Sequence, residues 1–395
     1  MKRVTCWIGL LALLTALVPV ATGSRAAASE LGPGPTYSLS SYLPDDNIPP
    51  PPPPPGVRRD SARVSPPLPP PLTSKPQDKQ AASGKAASTA AAAGCASCQA
   101  ASTAAAAGSA SCQEARESLE QGCCFCPRWT ITAGAIVWTR TSPASNTWLT
   151  SAGGTTLFDP QSFNLGWDAG PRIDLVRHFE GWDFEVLYFG IDSWDDSQSF
   201  AAAGMHNTLV PGANPLSTAS FLYSSKLYNL EANAKLAVTP CIDVLAGFRW
   251  IQIDDDVTFQ GRSAGGAGSL SQNVFNNLYG FQLGAEGRLF DHGGPFWLDA
   301  FVKAGVYDAH VTGNFGESGS FGATATSATL DRTAFVGEVG INAHYQLTRH
   351  LAAYAGYDLM WVDGATLAPD ALSTASLSNN SPLYHGAVAG LELHW

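Results

Sequence analysis

The chain has 395 residues, 14% of them charged and 10% aromatic, with 39 glycines and a formal net charge of -11. That acidic balance argues against nucleic acid as a partner. Few charges beside many glycines and rings suit strands better than solvated helices.

Lys2 and Arg3 form a basic n-region, Trp7 to Val20 an apolar h-region, and Ala26-Ala27-Ala28 a small-residue cleavage site before Ser29. This order predicts a secretory signal peptide over 1–28. Cys6 precedes the h-region, the wrong place for a lipoprotein cleavage site. After residue 28 no stretch approaches the ~18 consecutive apolar residues of a spanning helix. An exported chain of this kind is either soluble outside the cytoplasm or inserted in a membrane as a barrel.

Residues 29–122 carry no sustained strand or amphipathic pattern. Pro49 to Pro55 is an unbroken proline run, and 66–71 repeats the theme, which predicts an extended polyproline spacer. A tandem duplication follows: Ala86 to Gln99 and Ala100 to Gln113 share one 14-residue sequence, differing only where Cys95 becomes Ser109. Ala, Ser and Gly bury too little surface for a core, so this part reads as a periplasmic, low-complexity tether. Cys95, Cys98, Cys112, Cys123, Cys124 and Cys126 lie in or just after it, and Cys241 far downstream. In an oxidising compartment, with no His nearby to complete a zinc set, disulfides are expected rather than a metal site. Pairing of Cys241 with the 123–126 cluster is one possible connectivity.

From Trp129 onward, apolar residues alternate with polar or small ones, the period-2 signature of a strand with two different faces. Ten strands are predicted, at about 129–140, 163–176, 182–194, 221–238, 242–254, 276–290, 296–310, 333–347, 351–362 and 384–395. Most exceed the ~9 to 11 residues that a tilted membrane strand needs. The connections alternate: long at 141–162, 195–220, 255–275, 311–332 and 363–383, short at 177–181, 239–241, 291–295 and 348–350. All long loops thus fall at one end and all tight turns at the other, as in outer-membrane barrels. Trp129, Trp182, Phe296, Tyr345 and Trp395 map to the short-turn rim, and Trp138, Trp167, Trp194, Trp250 and Trp361 towards the other, as two interfacial belts would. The last strand sets Leu391, Leu393 and Trp395 at every second position, an insertion signal of outer-membrane type. The expected fold is therefore all-β: a transmembrane, antiparallel, up-and-down β-barrel of about ten strands over 123–395. A soluble sandwich or lipocalin-like barrel would also alternate, but with shorter strands and polar outward faces.

Trp167-Asp168-Ala169-Gly170-Pro171-Arg172, then 181–190 (GWDFEVLYFG), then Ala246-Gly247-Phe248-Arg249-Trp250, resemble outer-membrane β-barrel proteins of a planctomycete, pore-forming-like type. The resemblance covers about Cys126 to Trp395. It implies location more firmly than activity, and it supplies no catalytic residues.

Inward faces would carry Asp168, Arg172, Asp174, Asp183, Glu185, Glu231, Lys235, Arg249, Glu286, Arg288, Lys303, Glu338, His344 and Glu392, with Asp243 and Asp299. In a narrow lumen these opposed charges would form a hydrogen-bonded network. Ten strands leave at most a slender passage, so the readings are a small cation-favouring pore or a plugged structural barrel. Surface adhesion through the long loops is an alternative, and a lipid-acting enzyme a remoter one. No G-x-S-x-G, H-E-x-x-H or P-loop pattern occurs, so no enzyme, cofactor or metal is expected. The run Asp254-Asp255-Asp256 lacks an EF-hand's spacing and reads as a solvated loop entry. Expected partners are outer-membrane lipid, the barrel-assembly machinery and, through the N-terminal segment, peptidoglycan or other envelope proteins.

Overall fold

A computed structural model of the chain describes residues 127–210 and 212–395. The predicted signal peptide, the Pro/Ala-rich segment and the six cysteines from Cys95 to Cys126 lie outside the described residues. Twelve strands occur in order: β1 (Trp129–Arg140), β2 (Leu149–Thr150), β3 (Thr156–Phe158), β4 (Asp168–His178), β5 (Asp183–Asn207), β6 (Leu216–Thr239), β7 (Ile242–Ser263), β8 (Gly266–Asp291), β9 (Phe296–Gly319), β10 (Ala325–Gln346), β11 (Leu351–Asp363) and β12 (Leu383–His394). One short helix, α1 (Ala368–Thr374), precedes β12.

Ten of these strands close an antiparallel barrel in which each pairs with its neighbours in sequence and β1 pairs with β12. The remaining two, β2 and β3, form a small hairpin that pairs with the outer end of β5. Closure is tied at the short-turn rim, where the Arg128 and Trp129 amides donate to the Trp395 carbonyl at 2.7 and 2.9 Å. Over their short-turn part all ten strands are paired on both sides, the condition for strands to sit in lipid; beyond it the β4-facing side of β5 after Phe189 and the β11-facing side of β10 before Phe335 extend past those neighbours.

Side-chain phase explains what each face touches. On the short-turn half of the strands, apolar residues point outward: Phe281 is 77% exposed and Leu283 69%, with Phe184, Leu230, Phe248, Val306, Ile341 and Tyr357 also on the surface. Further along the same strands the phase inverts. On β7 the outward set ends at Trp250, and Ile251, Ile253, Val257 and Phe259 are buried inside. On β8 the inner set Leu270, Val274 and Leu278 gives way to outward Tyr279, Phe281 and Leu283. The changes lie side by side in the sheet, since Trp250 pairs with Leu230 and Tyr279. A strand in lipid must be greasy outside, whereas a strand in water must be greasy inside. The inversion therefore marks the level at which a wall of this pattern would pass from lipid to water.

That level accounts for the main departure from the sequence reading. Segments 195–220, 255–275 and 311–332, expected as long loops, are mostly strand: β5 runs 25 residues, β6 24 and β8 26. Twenty-four residues extend roughly 80 Å at ~3.4 Å each, far beyond the ~9 to 11 residues that lipid requires. Only the connections after β1 and β11 remain long, and both fold inward. Two expected belt residues also move: Trp138 and Trp194 are fully buried inside the barrel, with Trp194 Nε1 donating to the Trp138 carbonyl at 3.2 Å.

Candidate functional site: the barrel interior

The interior has three layers. In the middle layer, β7 supplies Arg249, which is 1% exposed. Its Nη1 donates to Glu338 Oε2 on β10 at 2.6 Å and its Nε to Asn229 Oδ1 on β6 at 2.6 Å. Glu231 Oε1 lies 3.5 Å from the same Nε. Glu231 Oε2 accepts from Lys303 Nζ on β9 at 2.8 Å and from Gln282 Nε2 on β8 at 2.7 Å. Beside these, Arg172 on β4 donates to Asp358 Oδ2 on β11 at 2.7 Å.

The decisive feature is which strands these pairs join. Arg249 with Glu338, Lys303 with Glu231 and Arg172 with Asp358 each link strands that are not neighbours in the sheet. They cross the lumen rather than run along its wall. Each charge has an opposite partner in hydrogen-bond reach, which is what permits ions to sit unhydrated in an interior; removing one member typically costs about 3–5 kcal/mol.

Towards the short-turn end the network continues through Lys235, 2.5 Å from Glu185 and 3.0 Å from Glu286. Arg288 lies 3.2 Å from Asp299, and His344 lies 3.2 Å from Glu392. Asp183 sits 3.2 Å from His178. Asp174 and Asp243 line a cavity at this end. Asp168 departs from its expected place: at the outer end of β4 it accepts from the exposed Ser193 hydroxyl at 2.6 Å, outside this network.

The outer layer is apolar and is filled by the two long connections. Trp148, Leu149, Phe158 and Phe163, from the segment after β1, are buried against Phe221 and Tyr223 of β6. Phe158 stacks on Phe221 at 4.1 Å and Phe221 on Phe259 at 4.8 Å. Helix α1 places Ala368, Ala371 and Leu372 in the same core. Proline near its first turn suits the missing amide, and Ala375 ends it in the left-handed region.

A polar seat holds α1 in position. Asp255, fully buried, accepts from Arg140 Nη1 at 2.8 Å, Tyr223 Oη at 2.7 Å and the Ala368 amide at 3.1 Å. Asn276 pairs both ways with the Thr366 backbone, at 2.7 and 2.9 Å. Arg332 donates to the Gly364 carbonyl at 2.7 Å. Asp370 on α1 accepts from the Ala144 amide at 3.2 Å and Asn380 Nδ2 at 2.7 Å, joining the two connections; burial holds its carboxyl above the ordinary carboxylate range.

The sequence reading missed Arg140, Asp255 and Asp358 as inward charges. Parity would have found most of them: Arg140 continues the inward set of Thr130, Ile136 and Trp138, and Asp358 shares a face with Tyr354 and Met360. Within the run expected as a solvated loop entry, only Asp254 and Asp256 face outward. Cys241, in the β6–β7 turn, is disulfide-bonded. The described residues contain no second cysteine. Among the described residues no group of His, Cys, Asp and Glu is arranged to hold a metal ion.

No family model and no curated protein matches the chain. Among solved structures it is similar to the translocator domain of autotransporter NalP from Neisseria meningitidis, at 13% identity over 74% of this chain and 98% of that one, TM-score 0.36. It is similar to Neisserial surface protein A at 11% identity, over 68% and 97% of the two chains, TM-score 0.26. Likewise it is similar to the Pseudomonas putida toluene transporter TodX at 11% identity, over 68% and 90%, TM-score 0.30. Likeness at this level does not extend to activity.

Proposed function

We propose that the protein is a bacterial outer-membrane barrel with a sealed lumen, acting as a structural or anchoring element of the envelope rather than as an open pore. The observation that carries this reading is the set of ion pairs that cross the lumen between non-adjacent strands, with Arg249 at their centre. A hydrated ion would have to displace partners whose loss leaves buried charges uncompensated. Above them, the aromatic core and α1 add a second barrier. The outward apolar band supports placement in lipid, and an even number of strands with all short turns at the end that carries both strand termini supports reading that end, and the N-terminal segment, as periplasmic. In this reading the tether over 29–122 reaches into the periplasm towards the cell wall while the barrel fixes it to the membrane.

Planar-bilayer recording tests the seal. Folded protein is expected to insert without producing conductance steps. Steady, long-lived steps from the unmodified chain would overturn the reading in favour of a pore.

A further inference from the structure

The periplasmic end of the lumen is not filled. Below the Arg249 layer lies a cavity of about 200 Å³, lined among others by Asp174, Lys235, Lys303, Asn342, Tyr354 and Cys241. Cys241, in the β6–β7 turn, places its mouth at the short-turn end. Seven Asp and Glu side chains line it against four Lys and Arg side chains, an excess of three acidic groups. Those four cations are already engaged: Arg172 by Asp358, Lys235 by Glu185 and Glu286, Lys303 by Glu231, Arg288 by Asp299.

The oxygens of the lining are not all engaged. Asp174 Oδ1, Asn342 Oδ1 and Tyr354 Oη are buried and have no hydrogen-bond partner. Tyr354 is only 7% exposed, and its ring fits because Gly134 and Gly390 lack side chains; a Cβ on Gly134 would lie 2.8 Å from Tyr354 Oη. Buried acceptors left without a donor cost about 1–3 kcal/mol each. Water can donate to them, but water brings no positive charge to the acidic lining.

We propose that this cavity is a binding site for a small organic ammonium ion entering from the periplasm. Its N–H groups donate to Asp174 Oδ1, Asn342 Oδ1 and Tyr354 Oη, and its charge offsets the acidic excess. The site uses the sealed layer as its floor and so rests on the reading above, but the two fail separately: conductance tests the floor, and binding tests the cavity.

The test is calorimetric titration of the full chain, folded in detergent micelles, with 1,4-diaminobutane, with uncharged butane-1,4-diol and with inorganic phosphate. Saturable binding of the diamine is expected, with none of the diol or phosphate. Asp174→Asn should weaken it about tenfold and Tyr354→Phe about threefold, as the loss of a charge-assisted and of a neutral hydrogen bond respectively. If Asp174→Asn does not fold, Asn342→Leu with Tyr354→Phe takes its place. No saturable heat from the diamine, meaning ordered water only, would overturn the proposal. So would preferential binding of phosphate, or a diamine affinity unchanged in the folded variants.

Discussion

Replacing Leu283 with arginine separates a lipid-facing wall from a water-facing one. Leu283 is 69% exposed on the outward face of β8, next to Phe281, and opposite Ala246 and Ala304, too small to shield it. It lies well inside the outward apolar set that begins at Tyr279, near the middle of the band. In a bilayer, arginine near the midplane of a barrel costs about 2–4 kcal/mol. In water, an exposed leucine can be changed to arginine within about 0.5 kcal/mol. Thr218→Arg supplies the control: it adds the same charge on β6, at an exposed position above the phase inversion. Urea titration of both variants folded into phosphatidylcholine vesicles, followed by tryptophan fluorescence, should place only Leu283→Arg at the larger cost. Equal midpoints for the two would refute the assignment of this face to lipid.

Arg249→Met should destabilise the barrel by about 3–5 kcal/mol in urea titration, because Glu231 and Glu338 keep their charges without their shared partner. Adding Glu338→Gln should recover part of that loss, since residues in one network couple by about 0.5–3 kcal/mol; simple additivity would contradict the pair. Gly340→Val should cost about 1–3 kcal/mol by overpacking, since a Cβ there meets Phe301 Cε1 and Asp358 Oδ1 inside van der Waals contact. A neutral result in the same titration would show that Phe301 moves freely. The raised Asp370 carboxyl makes the folded state hold its proton more tightly than the unfolded state does. The stability this lends to α1 docking is present below the ordinary carboxylate value and is lost as pH rises through the raised folded value. Hydrogen exchange over 364–378, corrected for intrinsic rate, should therefore slow on acidification through that window. In Asp370→Asn it should not change; equal pH dependence in both proteins would refute the assignment.

Strand number, order and facing were legible in the sequence because one alternation of outward apolar and inward polar or small residues runs through Tyr279 to Gly287 and through Ile341 to Tyr345. Beyond Trp250 and Tyr279 the rule reverses, and the reversed pattern resembles loop composition. Ser, Thr, Gly and Asn in 195–220, 255–275 and 311–332 look like turn chemistry, yet Ala219, Phe221, Val257, Phe259, Leu270 and Val311 keep period 2 with their apolar side inward. The doublets Trp250-Ile251 and Leu278-Tyr279 carry the signal of the inversion. Most lumen charges followed from parity, but their partners did not. Arg249 meets Glu338, and Arg140 meets Asp255, across a closed ring whose distances exist only once the strands are in register. The seat of α1 on Asp255 and Asn276 was hidden for the same reason, since a folded-in connection leaves no periodic trace.

Everything rests on a closed cylinder with lipid outside and its charges paired within. Electrophoresis of unheated and boiled protein, with folding compared in detergent and in plain buffer, tests that most directly. The account predicts a compact, differently migrating unheated species that forms only when detergent or lipid is present. A monodisperse, folded barrel in plain buffer, with no shift on boiling, would contradict it.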